Sequence, residues 1–274
     1  MAKHDKLRVQ AEDERDVDEH RRLKAPVVYE IIRQEGVEEL DRPLRSLWWS
    51  GFAAGLAIST SVYAEAFLHA LLPDTEWRPL VENFGYCTGF LIVILGRLQL
   101  FTENTITVVL PLLADWSRSI LLRVARLWSV VLLANIAGTL ASAALVMYVG
   151  ILGADQVSAS LEVSRHFADK SSLEILQLGI PAGFLVAALV WVLPSSKGSE
   201  FWMILTLTYV IAVGDLAHVI AGSTEIFLLV FAGEVHAVQA IWSFVLPAFV
   251  GNVIGGTGLF ALIAYGQVRL ELEE

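Results

Sequence analysis

Six stretches of this chain stay apolar for far longer than one buried helix face requires, at roughly 48–71, 82–114, 124–150, 173–194, 201–233 and 236–267. A bilayer hydrocarbon core takes about 20 apolar residues of helix, so each stretch is long enough to cross it. A soluble helical protein would carry polar faces at 3.6-residue spacing, and most of the length of these stretches has none. The pattern predicts an all-α membrane protein with six transmembrane helices.

The stretches are not independent. Residues 51–59, Gly-Phe-Ala-Ala-Gly-Leu-Ala-Ile-Ser, return at 179–187 as Gly-Ile-Pro-Ala-Gly-Phe-Leu-Val-Ala, an offset of 128. Asn135-Ile-Ala-Gly138-Thr returns as Asn252-Val-Ile-Gly255-Gly-Thr, an offset of 117, and Gly96-Arg-Leu-Gln-Leu-Phe has a fainter echo in Gly214-Asp-Leu-Ala-His-Val, an offset of 118. A duplicated unit of three crossings must enter the bilayer upside down in its second copy. Two inverted three-helix repeats are therefore expected, with a transport pathway at their interface.

The second and fifth stretches are longer than a crossing needs, and each is polar at its middle. Arg97, Gln99, Thr102, Glu103 and Asn104 interrupt one; Asp215, His218, Ser223, Thr224 and Glu225 interrupt the other. Charge at that depth is costly and normally faces protein or a water-filled path. Both helices are expected to be broken there, because irregular backbone in a membrane is tolerated only where it is buried in protein or lines a cavity. Gly96, Gly214 and Gly222 supply backbone freedom at the same places.

Composition narrows the class. The 274 residues are 55% hydrophobic and 18% charged, with net charge −10 and mean hydropathy +0.61. Of the 19 Lys and Arg, 10 fall in residues 1–46 beside 12 Asp and Glu. Residues 1–46 thus read as a separate unit: a mixed-charge run over 1–24, then an amphipathic helix from Val27 to Leu40 that ends at Asp41-Arg42-Pro43 and either lies on the bilayer or packs under the pore. A pore domain follows at 47–267 and a short tail at 268–274. Arg42, Arg45, Arg118, Arg123, Arg126, Lys197 and Arg269 place both termini in the cytoplasm by the positive-inside rule. The charged first 25 residues predict no cleavable signal peptide, and the lone Cys87 allows no internal disulfide.

An enzyme is disfavoured: there is no nucleotide loop, nucleophile motif or His/Cys metal spacing, and no cofactor is expected. Nucleic-acid binding is disfavoured by the acidic balance.

Three motifs in order carry a family resemblance over about residues 42–267. Leu100-Phe101-Thr102, after a glycine and before a polar run, resembles the Leu-Phe-Thr loop that breaks the second helix of the formate/nitrite transporter family. His218-Val-Ile-Ala221 is similar to its fifth-helix histidine motif, and Gly251-Asn252-Val-Ile-Gly255-Gly256 to its sixth-helix signature. The resemblance implies an aquaporin-like protomer in a homopentamer, one pore in each protomer, in a bacterial cytoplasmic (inner) membrane. It implies passage of small monovalent anions such as formate or nitrite between two apolar constrictions around a central histidine. Leu100 and Phe101 would then belong to the constriction at the broken loop, and His218 would be central.

The chain departs from that pattern where charge matters. Gly222 stands where the family commonly has asparagine, Ile211 where some members have a large aromatic, Glu200 where a vestibule lysine is common, and Glu103 where a small residue follows the Leu-Phe-Thr loop. Arg97 and Asp215 replace glycines at mutually equivalent points and are expected to form a midplane ion pair, since an unpaired charge there costs several kcal/mol.

His218 is the main candidate for function: a neutral imidazole between apolar rings can donate a hydrogen bond or a proton to an entering anion, and an uncharged acid escapes most of the desolvation penalty. The competing structural reading has His218 bonded to Asn135 or Thr102. Thr102, Glu103, Ile211 and Gly222 complete the expected pathway, and Glu65 is a second carboxylate candidate. Asn135 and Asn252 are expected to brace the broken helices, and Glu225 to cap the second half of the fifth. Three functions follow: a proton-linked channel or permease for a small weak-acid anion, a pore for another neutral or cationic solute, or a non-conducting membrane scaffold or sensor.

Overall fold

The computed structural model describes residues 23–272, and these are helical throughout with short connections. The expected mixed-charge run at 1–24 lies almost wholly outside the described residues. Helix α1, Ala25–Asp41, opens with Pro26 in its first turn and stops at Arg42-Pro43, whose extended backbone cannot continue it. It buries Val28, Tyr29, Ile32, Gly36 and Leu40, one stripe at helical spacing. Gly36 lies so close to the Thr107 carbonyl that a Cβ would clash with it, and Tyr29 faces Tyr265. Of the two placements open to the amphipathic helix, the structure has it packed under the bundle.

Among the described residues four helices are long and apolar enough to cross a membrane: α2 (Leu44–Leu71), α5 (Arg118–Val149), α7 (Ser172–Ser195) and α10 (Ala237–Glu271). The second apolar stretch is divided into α3 (Arg78–Leu95) and α4 (Asn104–Ala114). The fifth is divided into α8 (Glu200–Val213) and α9 (Val219–Phe231). Each first half ends on a glycine, Gly96 or Gly214, followed by a residue in the left-handed region: Arg97 at φ 52° and Asp215 at φ 50°. Among described residues other than glycine, these two are the ones with positive φ. An L-residue held there is strained, and such strain persists only where surrounding structure enforces it.

The repeated glycine landmarks are helix crossings. A Cβ on Gly55 of α2 would meet the Asn135 carbonyl of α5, and one on Gly183 of α7 would meet the Asn252 backbone of α10. Small residues let backbones approach closely in membrane bundles, where apolar burial drives no association. Proline at position 181, inside α7, has no N–H to donate to its own helix. Nearby carbonyls take tertiary partners: Leu178 O accepts from the Ala217 N–H at 3.3 Å and Gly179 O from Asn252 at 2.9 Å.

Helix α6, Ala154–Ala168, was not expected, because residues 151–172 read as a connection. Its buried face is Ala159, Ser160, Val163, Ser164 and Phe167, interleaved with Asp155, Glu162, Arg165 and His166, so the segment makes no long apolar run. The serines are satisfied within the helix, Ser160 on the Gln156 carbonyl and Ser164 on that of Ser160. The last helix, α10, also runs past the expected start of the C-terminal tail at 268. Exposed Trp49, Leu122, Leu133, Trp202, Trp242 and Ile263 give the bundle an apolar exterior, which suits lipid or neighbouring copies.

Candidate functional site

Two asparagines hold the breaks, by the same three bonds. Asn135 accepts from the Phe101 N–H at 2.8 Å and donates to the carbonyls of Gly51 and Gln99, both at 2.8 Å. Asn252 accepts from the Val219 N–H at 2.9 Å and donates to the carbonyls of Gly179 at 2.9 Å and Ala217 at 2.8 Å. Corresponding partners carry the same offsets as the sequence landmarks. Both side chains are fully buried, so each satisfies backbone groups that no water could reach.

The two breaks meet at Thr102 and His218. Thr102 Oγ1 lies 2.8 Å from His218 Nε2. His218 is also the N-cap of α9, its Nδ1 accepting from the Ala221 N–H at 3.2 Å. The cap of the second half-helix is therefore His218 and not Glu225, which sits two turns inside. Because Nδ1 accepts, the neutral ring carries its hydrogen on Nε2 and donates it to Thr102. The threonine hydroxyl keeps its own hydrogen for a further acceptor. Phe90 presents its ring to the imidazole at 4.9 Å and 71°. Leu100, Phe101, Thr102 and His218 are each no more than 1% exposed, and Ile211 is equally buried. Phe101 packs between Trp128 and Phe249. The centre is thus an apolar plug with one donor pair in it. Of the two partners expected for a structural His218, the structure supplies Thr102.

The expected Arg97–Asp215 pair is not formed. Arg97 reaches Glu35 of α1 at 3.3 Å, and Asp215 is held by Lys170 at 2.8 Å. Arg97 and Asp215 are 77% and 67% exposed in their side chains, so neither bears the desolvation penalty that motivated the pairing. Each turn projects its charge outward, towards a neighbour from outside the repeated segments.

On the α1 side lies a cavity of about 480 Å³, lined by Glu35, Glu39, Arg97, Glu103, Lys197 and Glu200 among others. One oxygen of Glu103, Oε1, is buried there with no hydrogen-bond partner. Asn104 secures the loop below, donating to Gln99 Oε1 and the Leu100 carbonyl, both at 3.1 Å. Carboxylates outnumber bases around this mouth.

The other side is organised by residues the sequence reading missed. Phe167, at the end of α6, packs on Gly222 so tightly that a Cβ there would lie 2.7 Å from the ring. Lys170, in the α6–α7 link, bonds Asp215 as well as the His166 carbonyl. Arg165 and Glu234 form a two-pronged pair at 2.8 and 2.7 Å that ties α6 to the turn after α9. Arg165 holds the Glu234 carboxyl below its usual range. Ser59 and Thr224 share a buried bond of 2.9 Å between α2 and α9. Glu65 and Glu225 lie in α2 and α9. Only a lysine or arginine near the breaks could have signalled Lys170, and linear spacing gave no reason to prefer it over Lys197.

Among the described residues no cluster of His, Cys, Asp or Glu is arranged to hold a metal. Cys87 is buried and free.

The inner membrane protein YfdC of Escherichia coli is 37% identical over 274 residues, covering 98% of this chain and 88% of its own. The formate channel BtFdhC of Bacillus thuringiensis is 24% identical, over 88% of this chain and 94% of its own. A solved pentameric formate channel with formate bound superimposes with a TM-score of 0.72, covering 83% of this chain and 98% of that one at 19% identity, a likeness of fold. With the formate/nitrite transporter model matching residues 26–266, this multi-pass membrane chain belongs to the formate/nitrite transporter family.

Proposed function

We propose that the protein is a channel or permease for a small monovalent weak-acid anion of the formate or nitrite class, proton-linked through His218. The observation that carries the reading is the Thr102–His218 bond at the meeting of the two breaks. It puts a donor pair inside an apolar seal, where an anion gains one hydrogen bond and an incentive to cross as the neutral acid. Leu100 and Phe101 form the apolar constriction on the loop side, Ile211 and Gly222 flank the histidine, and Glu103 faces the α1-side mouth. Six crossings arranged as two inverted three-helix repeats are supported by the matching bonds of Asn135 and Asn252. A homopentamer with both termini in the cytoplasm of a bacterial inner-membrane protein completes the reading; a relative solved as a pentamer supports the oligomer.

A second reading rests on the mouth beneath α1. Glu35, Glu39, Glu103 and Glu200 face two bases there, Arg97 and Lys197, which favours a neutral or cationic solute over a bare anion. Flux into proteoliposomes under a pH gradient separates the two. Acid-stimulated uptake of formate or nitrite that His218→Ala abolishes supports the first. Passage of a neutral or cationic solute with no anion flux supports the second, and no flux of any solute from assembled protein leaves a membrane scaffold.

A further inference from the structure

Lys170 is the most heavily engaged cation near the breaks. Its Nζ donates to the His166 carbonyl at 2.8 Å and faces both oxygens of Asp215, Oδ1 at 2.9 Å and Oδ2 at 2.8 Å. It also stands 5.7 Å from the centre of the Phe167 ring. The two partners differ in how they are held. The lysine side chain is 12% exposed and fixed on three sides, whereas the aspartate is 67% exposed and rides on a left-handed turn. That turn lies three residues before His218, and Phe167 packs on Gly222 in the first turn after it. The ammonium is therefore the enclosed member of the pair, set against the ring that covers Gly222, and the carboxylate is the exposed member.

We propose that Asp215 is a specificity-determining counter-ion: a carboxylate carried by the chain that occupies the face of Lys170 which a small permeating anion would otherwise use. Building on the anion-pathway reading, this makes entry on this side a competition. A monovalent carboxylate or nitrite must displace Asp215 to reach the ammonium, whereas a neutral solute passes without doing so. Asp215 shares its left-handed backbone with Arg97 at the equivalent turn, so the turn belongs to both breaks and the carboxylate facing Lys170 is what sets this side apart. The Arg165–Glu234 pair ties α6 to the turn after α9, so the Lys170–Asp215 pair is the one that reaches the turn before His218.

The test uses the full chain in proteoliposomes, with formate as the anion probe and glycerol as the neutral one. Asp215→Asn removes the charge, and Asp215→Gly removes it while relaxing the turn, so misfolding of one leaves the other. Both should lower the formate KM by about two- to tenfold, the range expected when a partly exposed ion pair no longer competes, with glycerol flux unchanged. Lys170→Gln in the Asp215→Gly background should cancel the gain. Formate flux in the native chain with an unchanged or higher KM in both Asp215 variants overturns the assignment of Asp215 alone. No formate flux from the native chain or any variant, while glycerol or another solute passes, overturns the anion reading on which it rests.

Discussion

The side chains of Thr102 and His218 join the two interrupted segments of the chain through one 2.8 Å bond, although 116 residues separate them. Each is placed by its own break, and each break by its own asparagine. The hydrogen-bond pattern assigns roles: Nδ1 serves the backbone of α9 and Nε2–H serves Thr102, leaving the threonine hydroxyl hydrogen as the donor that can face a solute.

Thr102→Val removes the acceptor of the Nε2–H bond while keeping the shape. A buried donor left without a partner costs about 1–3 kcal/mol. We expect a measurable drop in thermal midpoint in detergent and a loss of flux, with Thr102→Ser recovering most of both. Equal flux from the valine and native proteins would remove Thr102 from the pathway.

Asn135→Ala strands one N–H and two carbonyls in a water-free interior, at about 1–3 kcal/mol for each group left unpaired. The result expected is failure to recover assembled protein, and Asn252→Ala should behave alike. Asn135→Asp keeps the acceptor and loses both donors, so it should be nearly as harmful. Recovery of a normally stable alanine variant on gel filtration would show that the breaks are held by other means.

Restoring the asparagine that the family commonly carries at Gly222 should be harmful here, since Phe167 fills the space. Overpacking of this kind costs about 1–3 kcal/mol. Combining Gly222→Asn with Phe167→Ala should recover much of that loss, and a double-mutant cycle on unfolding midpoints reads the coupling directly. Additive effects would mean that the ring and the glycine do not depend on each other.

Gly55→Ala and Gly183→Ala should each push a helix pair apart, because the obstructing atoms are backbone and cannot swing away. About 1–3 kcal/mol of destabilisation is expected from each, whereas alanine at Gly266, which has open space around it, should be silent. Thermal midpoints of the three variants check the contrast.

The Arg165–Glu234 pair carries a pH signature. Arg165 lowers the Glu234 carboxyl from its usual value, so the pair stabilises the fold above the ordinary carboxylate range and ceases to do so as pH falls through the lowered value. Both side chains are substantially exposed, so the effect is small and screened by salt. Glu234→Gln should lower the midpoint slightly at neutral pH and low salt. The difference from the native chain should vanish at acid pH or in high salt, and a difference independent of both would assign Glu234 a packing role instead.

Whatever depends on length, composition and repetition could be read along the chain alone. An apolar run long enough to span lipid is visible in one dimension, and so is a polar cluster that no lipid-facing helix could carry, which is why the breaks after Leu95 and Val213 were legible. The offsets between repeated landmarks marked Asn135 and Asn252 as equivalent because the same backbone groups need the same partners in both halves. The tertiary structure alone decided which charges meet. Equivalence of Arg97 and Asp215 said that they occupy the same kind of turn; their partners, Glu35 and Lys170, come from α1 and the α6–α7 link, outside the duplicated segments. Helix α6 was hidden for a related reason: three of its five buried residues are alanine or serine and charged residues interleave them, so the segment makes no long apolar run, and its burial is set by the close fit of neighbouring helices. Electrostatic and close-packing energies act between neighbours in space, and only the folded chain defines who those neighbours are.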